Sequence, residues 1–104
     1  MSTKTKYGIK ELEEDFGPMT FGRMLKNYRE IAEYSQKDFA HKLNITPQRL
    51  NDFEKERRLP DISSVVSFAK KLKDSESFFV QVLFQDYLRN ENLKYEVKIT
   101  KKSA

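Results

Sequence analysis

The stretch SQKDFAHKLNITPQRLNDFEK, residues 35–55, decides the fold. It encodes two short amphipathic helices with almost nothing between them. Ser35 can cap the first helix, and Phe39, Ala40 and Leu43 recur at the spacing of one helical face. This face needs a partner to cover it, and the sequence supplies one immediately afterwards.

The second helix begins only two residues after Leu43. Thr46 can cap it, Pro47 suits its first turn, and Leu50 and Phe53 form its apolar face. Helices joined this tightly cannot stack as a long hairpin. They cross at a steep angle, a geometry that can place one helix in the major groove of DNA.

This pattern resembles the helix-turn-helix of the phage Cro/repressor, or Xre, family, from Phe21 to about Leu72. The resemblance implies an all-α, five-helix, lambda-repressor-like domain. Six positions agree with the family pattern together: Gln36, Ala40, Asn44, Ile45, Leu50 and Phe53. Two positions depart from it. The usual turn glycine is Asn44, the next best residue at positive φ, and the glycine after the second helix is replaced within residues 54–58.

Composition argues against an enzyme. The chain has 104 residues, which suits one domain, and it contains no cysteine and one histidine, His41. A thiolate zinc site, a disulfide framework and a cysteine nucleophile are therefore excluded. The sequence has no glycine-rich phosphate loop and no acid–base constellation. We predict no catalytic residues, no metal and no cofactor.

The surface is heavily charged, since 35% of the residues are charged and the net charge is +4. This balance permits a polyanionic partner without requiring one. No apolar run approaches the length of a membrane span, and the polar N-terminus lacks the core of a signal peptide. We expect a soluble, cytoplasmic protein that does not contact membranes.

The chain divides by pattern into an N-terminal arm (residues 1–18), a helix-turn-helix domain (19–73) and a C-terminal part (74–104). Thr20 can cap a helix running to about Glu33, Asp61 can cap a fourth helix, and a fifth runs from Glu76 to about Asn90. In the arm, three apolar residues at helical spacing allow a short helix, and a mobile arm is the alternative.

The fifth helix is apolar on more than one face, which favours a second buried surface. A dimer interface is the simplest such surface, and a bulky core within one chain is the competing explanation. The residues proposed for this interface are Phe79, Leu83 and Tyr87.

Residues 95–99 alternate between apolar and polar side chains, the period of a half-buried β-strand. A lone strand leaves its backbone unsatisfied. We therefore predict a short C-terminal β-strand, with Tyr95, Val97 and Ile99 on one side. It would pair with its two-fold mate in a dimer or with the sheet edge of another protein.

Base contacts are predicted at the start of the second motif helix. Gln48 can bond adenine through two atoms, and Arg49 can reach guanine or a phosphate. Thr46 can offer its methyl group to thymine, while Pro47 sets the helix start. Asp52 can accept from cytosine, orient Arg49, or form a salt bridge.

Phosphate contacts are predicted around these base contacts. The resemblance implies that Gln36 contacts the DNA backbone and buttresses the second helix. Further candidates are Asn51, Lys55, Arg57 and Arg58, for each of which a solvated charged face is the alternative.

These observations predict a homodimeric regulator, inferred from the family to be a repressor, that binds a palindromic operator in double-stranded DNA. One alternative is an antitoxin that also neutralises a partner toxin, an idea favoured by the aromatic helix and the extra strand. Another is an interaction module whose helix-turn-helix no longer binds DNA.

Overall fold

The computed structural model describes residues 17–102, so most of the predicted arm lies outside the described residues. The described part is all-α and contains no β-strand. Its helices, in chain order, are α1 (Phe21–Ile31), α2 (Gln36–Leu43), α3 (Pro47–Glu54), α4 (Ile62–Lys71) and α5 (Glu76–Asn90). The predicted set of five helices is confirmed.

All five helices begin in the same way. The residue before each helix has extended backbone, and its side-chain oxygen accepts a hydrogen bond from the backbone N–H three residues later. Such a cap satisfies one of the free N–H groups at the helix start. The capping residues are Thr20, Ser35, Thr46, Asp61 and Ser75.

All five helices also end in the same way, at a left-handed residue that is not glycine. The left-handed residues have φ between 57° and 62°. After each of them, the next backbone N–H bonds a carbonyl five residues earlier, as from Ile45 to Ala40 at 2.9 Å and from Arg57 to Asp52 at 2.9 Å. The left-handed positions are Glu33, Asn44, Glu56, Lys73 and Asn92.

The core receives one fully buried phenylalanine from each helix. The ring centres of Phe21 and Phe79 lie 6.0 Å apart in an edge-on arrangement. Those of Phe53 and Phe68 lie 6.3 Å apart. Burying one such side chain stabilises the fold by about 1.5–3 kcal/mol. The five residues are Phe21, Phe39, Phe53, Phe68 and Phe79.

This core corrects the predicted interface on α5. Phe79 and Leu83 are both 0% exposed, and the ring of Tyr28 packs on Phe79 at 5.7 Å. Neither side chain is available to a second molecule in this fold, because both are buried in the core of the chain itself. Tyr87 stays at the surface, 37% exposed, and its hydroxyl donates to the carbonyl of Pro60 at 3.3 Å.

The predicted C-terminal β-strand is not observed in the part of the chain that the structure describes, where residues 95–99 pair with no other backbone. Glutamine side chains of α5 take the place of a neighbouring strand. Gln85 donates to the carbonyl of Tyr95 at 2.7 Å and accepts from the N–H of Val97 at 2.9 Å. One turn earlier, Gln81 accepts from the N–H of Ile99 at 3.2 Å.

A buried carboxylate joins α5 to the start of α1. Asp86 is 4% exposed and accepts from the backbone N–H of Phe21 at 2.8 Å and from Arg89 at 2.5 Å. Burial raises the pKa of Asp86, outweighing the lowering effect of these two donors. Helix α5 therefore shares one core with the preceding helices.

Candidate nucleic-acid interface

The candidate interface is built on the α2–turn–α3 unit. Asn44 ends α2 in the left-handed region, at φ 62° and ψ 43°, as the sequence predicts for the turn position. Ala40 and Leu50 are 0% exposed where the two helices meet, and Phe53 is 2% exposed. The apolar face of α3 is thus turned inward, which leaves the opposite face to solvent.

The beginning of α3 lies at the surface. Thr46, Pro47, Gln48 and Arg49 are all exposed. The Thr46 hydroxyl accepts from the backbone N–H of Arg49 at 3.1 Å, so it serves as the cap. The guanidinium carbon of Arg49 lies 5.9 Å from the centre of the Phe53 ring, within the range of a cation–π contact.

Asp52 forms a salt bridge with Arg57 and no hydrogen bond or ion pair with Arg49. Its Oδ1 accepts from Nε of Arg57 at 3.1 Å and from the amide of Gln48 at 3.5 Å. The backbone N–H of Arg57 also bonds the Asp52 carbonyl, at 2.9 Å. Arg57 is therefore held against Asp52 through both its backbone and its side chain.

A buried polar network lies behind this surface. The Gln36 amide donates to Asn51 and to Glu54, both at 3.1 Å. Glu54 also receives a two-pronged contact from Arg29, at 2.7 Å and 3.0 Å. The side chains of Glu54 and Arg29 are 3% and 14% exposed. The network ties α1, α2 and α3 together.

The charges within the network satisfy one another. The hydrogen bond to Glu54 raises the pKa of Arg29 above its ordinary value. Arg29 also donates to the carbonyl of Tyr34 at 3.1 Å, which anchors the α1–α2 connection near its end. The arrangement suits a structural support for α3.

Sequence reasoning missed Arg29 and Glu54, although a signal was present. Glu54 lies four residues after Leu50, and Arg29 lies four residues after Leu25. Each charged residue therefore continues a buried helical face. Two opposite charges on inward faces indicate a buried ion pair.

Sequence reasoning also missed the role of Gly22, where α1 crosses α3. A Cβ atom at this position would lie 2.2 Å from the carbonyl oxygen of Phe53. A glycine within an otherwise helical pattern was the available signal for a close backbone approach. The close crossing brings α1 within reach of the end of α3.

The predicted phosphate contacts fall into two groups. Gln36 and Asn51 are half-buried and bonded to each other, which matches the buttressing role implied for Gln36. Lys55, Arg57 and Arg58 are exposed where the chain leaves α3. The left-handed residue Glu56 turns the chain between them.

No group of histidine, cysteine, aspartate and glutamate side chains within residues 17–102 could hold a metal ion. In the same part of the chain, no helix combines the length and apolar character needed to cross a membrane.

Comparison with known proteins agrees with this geometry. A helix-turn-helix family model matches residues 25–77, just over half of the chain. The HTH-type transcriptional regulator ImmR of Bacillus subtilis (strain 168) is 32% identical over 62 residues, which are 60% of this chain and 49% of ImmR. The chain thus spans about half the length of that relative. The matched region contains the whole α2–turn–α3 unit, and the chain belongs to the Xre-type helix-turn-helix family.

Proposed function

We propose that this protein is a transcriptional regulator that binds double-stranded DNA in a sequence-specific manner. The observation that carries the proposal is the exposed start of α3, where Gln48 and Arg49 project from a helix fixed from behind by Gln36 and Glu54. A recognition helix reads base edges with its N-terminal residues. Rigid support keeps those residues in one orientation for the groove.

The amide of Gln48 suits adenine, since it offers a donor and an acceptor in one plane. Arg49 suits guanine O6 and N7 or a nearby phosphate, and the methyl group of Thr46 suits thymine. Pro47 fixes the first turn. Asp52 acts in this proposal through Arg57 and Gln48, the two residues that it contacts.

Phosphate contacts would come from the exposed cations after α3. Asp52 holds Nε of Arg57, which leaves the terminal guanidinium nitrogens for a phosphate oxygen. Lys55 and Arg58 lie on either side of it in the sequence. These contacts would add affinity and salt dependence with little choice of sequence.

The finer parts of the proposal are a homodimer, a palindromic operator and repression by blocking the polymerase. A two-fold dimer would read half-sites about one helical turn apart. The similarity to ImmR, an HTH-type transcriptional regulator, supports regulation of transcription but not its direction.

We do not extend the proposal to a partner toxin. The aromatic helix that favoured it is occupied within the chain, because Phe79 and Leu83 lie in its own core.

The test selects bound DNA from a random pool and then measures affinity for the enriched site. The double variant Gln48→Ala/Arg49→Ala is expected to lose at least about tenfold in affinity for each base contact removed. Its control is Lys70→Ala/Asn90→Ala, which removes one cation and one amide at exposed positions of α4 and α5.

An enriched motif that is lost only in the first variant supports the proposal. Absence of any enriched motif, or unchanged salt-insensitive binding by Gln48→Ala/Arg49→Ala, contradicts it.

A further inference from the structure

The segment 94–100 has one backbone edge bonded to α5 and one edge open. The bonded edge carries the carbonyl of Tyr95 and the N–H groups of Val97 and Ile99. In an extended chain, alternate residues direct their N–H and C=O groups to opposite edges. The groups of Glu96 and Lys98 therefore face away from α5, and they have no hydrogen-bond partner among residues 17–102.

This open edge lies at the surface. Glu96, Lys98 and Thr100 are exposed, and Tyr95 is 67% exposed. An unpaired edge of this kind is a template for another extended chain. The charges on the edge decide which chain fits.

We propose that the open edge pairs antiparallel with the same segment of a second copy, with Val97 on the two-fold axis. This places Glu96 of each copy opposite Lys98 of the other as a hydrogen-bonded pair, and Tyr95 opposite Ile99. Side chains opposite each other in such pairs lie about 4.5–5.5 Å apart at Cβ, within reach of an ion pair. Two opposite-charge pairs form at once.

Other registers of the same edge fit less well. A two-fold axis at Glu96 or at Lys98 sets that residue against its own copy, which brings like charges together. An axis at Tyr95 requires Asn92 to pair, but Asn92 is left-handed, at φ 58°. An axis at Ile99 sets Glu96 against Lys102 and leaves Lys98 facing Thr100. The register at Val97 forms the two charge pairs within the extended segment.

The inference deepens the homodimer part of the proposed function by naming the surface that joins the copies. It does not depend on DNA binding, because self-association is measured without DNA. A protein that is monomeric but still selects an operator would overturn this inference and leave the proposed DNA binding intact.

The test is the oligomeric state over a concentration series, measured by sedimentation equilibrium on the full chain. Glu96→Lys and Lys98→Glu each turn both charge pairs into like-charge pairs, and each should weaken self-association by about tenfold. The double variant Glu96→Lys/Lys98→Glu restores opposite charges and should recover the dimer. Both residues are exposed, so circular dichroism should be unchanged.

Recovery of the dimer by the double variant distinguishes the two-fold axis at Val97 from axes at Tyr95 and Ile99. With the axis at Tyr95 or Ile99, Glu96 faces Lys94 or Lys102, and the exchange of 96 and 98 would leave two lysines opposed. A monomeric wild type, single variants that associate normally, or a double variant that is not rescued would each overturn the inference.

A second measurement reports the register directly, because the chain contains no cysteine. Residues on the axis of a non-hydrogen-bonded pair have Cα atoms about 4.5 Å apart, within the range of a disulfide. Val97→Cys should therefore cross-link two copies under mild oxidation, whereas Tyr95→Cys and Ile99→Cys should not. Preferential cross-linking at 95 or 99 would contradict the proposed axis.

Discussion

The helix-turn-helix and the C-terminal segment both use glutamine amides to hold one part of the chain against another, with opposite results. Gln36 joins a closed network in which Asn51, Glu54 and Arg29 are all paired behind α3. Gln81 and Gln85 bond only the near edge of segment 94–100. The first arrangement fixes a surface, and the second leaves an edge for another chain.

The largest effect is expected at the closed network. Glu54→Ala leaves Arg29 buried without its carboxylate and should destabilise the protein by about 3–5 kcal/mol. The measurement is urea unfolding. The matched control is Asp52→Ala, which breaks the exposed pair with Arg57 and should cost less than about 1 kcal/mol. Equal losses of unfolding free energy in the two variants would contradict the idea that burial makes the Arg29–Glu54 pair more important than the Arg57–Asp52 pair.

A smaller, local effect is expected at the C-terminal segment. Gln85→Ala removes two hydrogen bonds to the segment, each worth about 0.5–1.5 kcal/mol. The amide of Val97 should then exchange with solvent at least about tenfold faster, while amides in α2 and α3 keep their rates. Faster exchange throughout the protein, or no change at Val97, would contradict this view of the segment.

The exit of α3 should gain stability from glycine. Glu56 has φ 61°, a conformation that costs a residue with a Cβ about 1–2 kcal/mol relative to glycine. Glu56→Gly should raise the midpoint of urea unfolding by an amount worth up to about 1 kcal/mol, after the entropy cost of glycine. Lys55→Gly, where φ is −90°, is the control and should lower the midpoint.

The smallest effect concerns the acid dependence of stability. Because the pKa of Asp86 is raised on folding above 3.8, its protonated form favours the folded state. This contribution is complete below pH 3.8 and is lost as the pH rises through the folded value. Between pH 3.8 and the raised pKa of the folded state, Asp86 makes the wild type lose stability as the pH rises. The Asp86→Asn variant lacks this loss, so its free energy of unfolding should rise more steeply with pH than that of the wild type. A shallower rise in the variant would show that folding lowers the pKa of Asp86 instead of raising it.

Much of the fold was predictable because its signals are local. Caps such as Ser35 and Thr46 and the spacing of Leu50 and Phe53 lie within a few residues of the structure they specify. The same spacing predicted the exposure of Gln48 and Arg49 on the opposite side of α3.

The remainder depends on partners that are distant in sequence. Alternation in residues 95–99 is the same for a β-strand and for an extended segment on a helix, so it could not reveal Gln85 as the partner. The apolar character of α5 does not show which residues its own core takes, so the pattern alone predicts an interface at Phe79 and Leu83, which are buried. The pairing of Asp52 with Arg57 depends on the left-handed turn at Glu56, which carries no glycine to mark it.

The hydrogen bond from Phe21 to Asp86 closes a loop of 65 residues between the first and last described helices. The first turn of α1 is therefore complete only when α5 is in place. Loss of α5 exposes that amide together with the core ring of Phe21, which packs against Phe79 of α5. The five helices should consequently fold and unfold as one cooperative unit, with the exchange rate of the Phe21 amide reporting global unfolding.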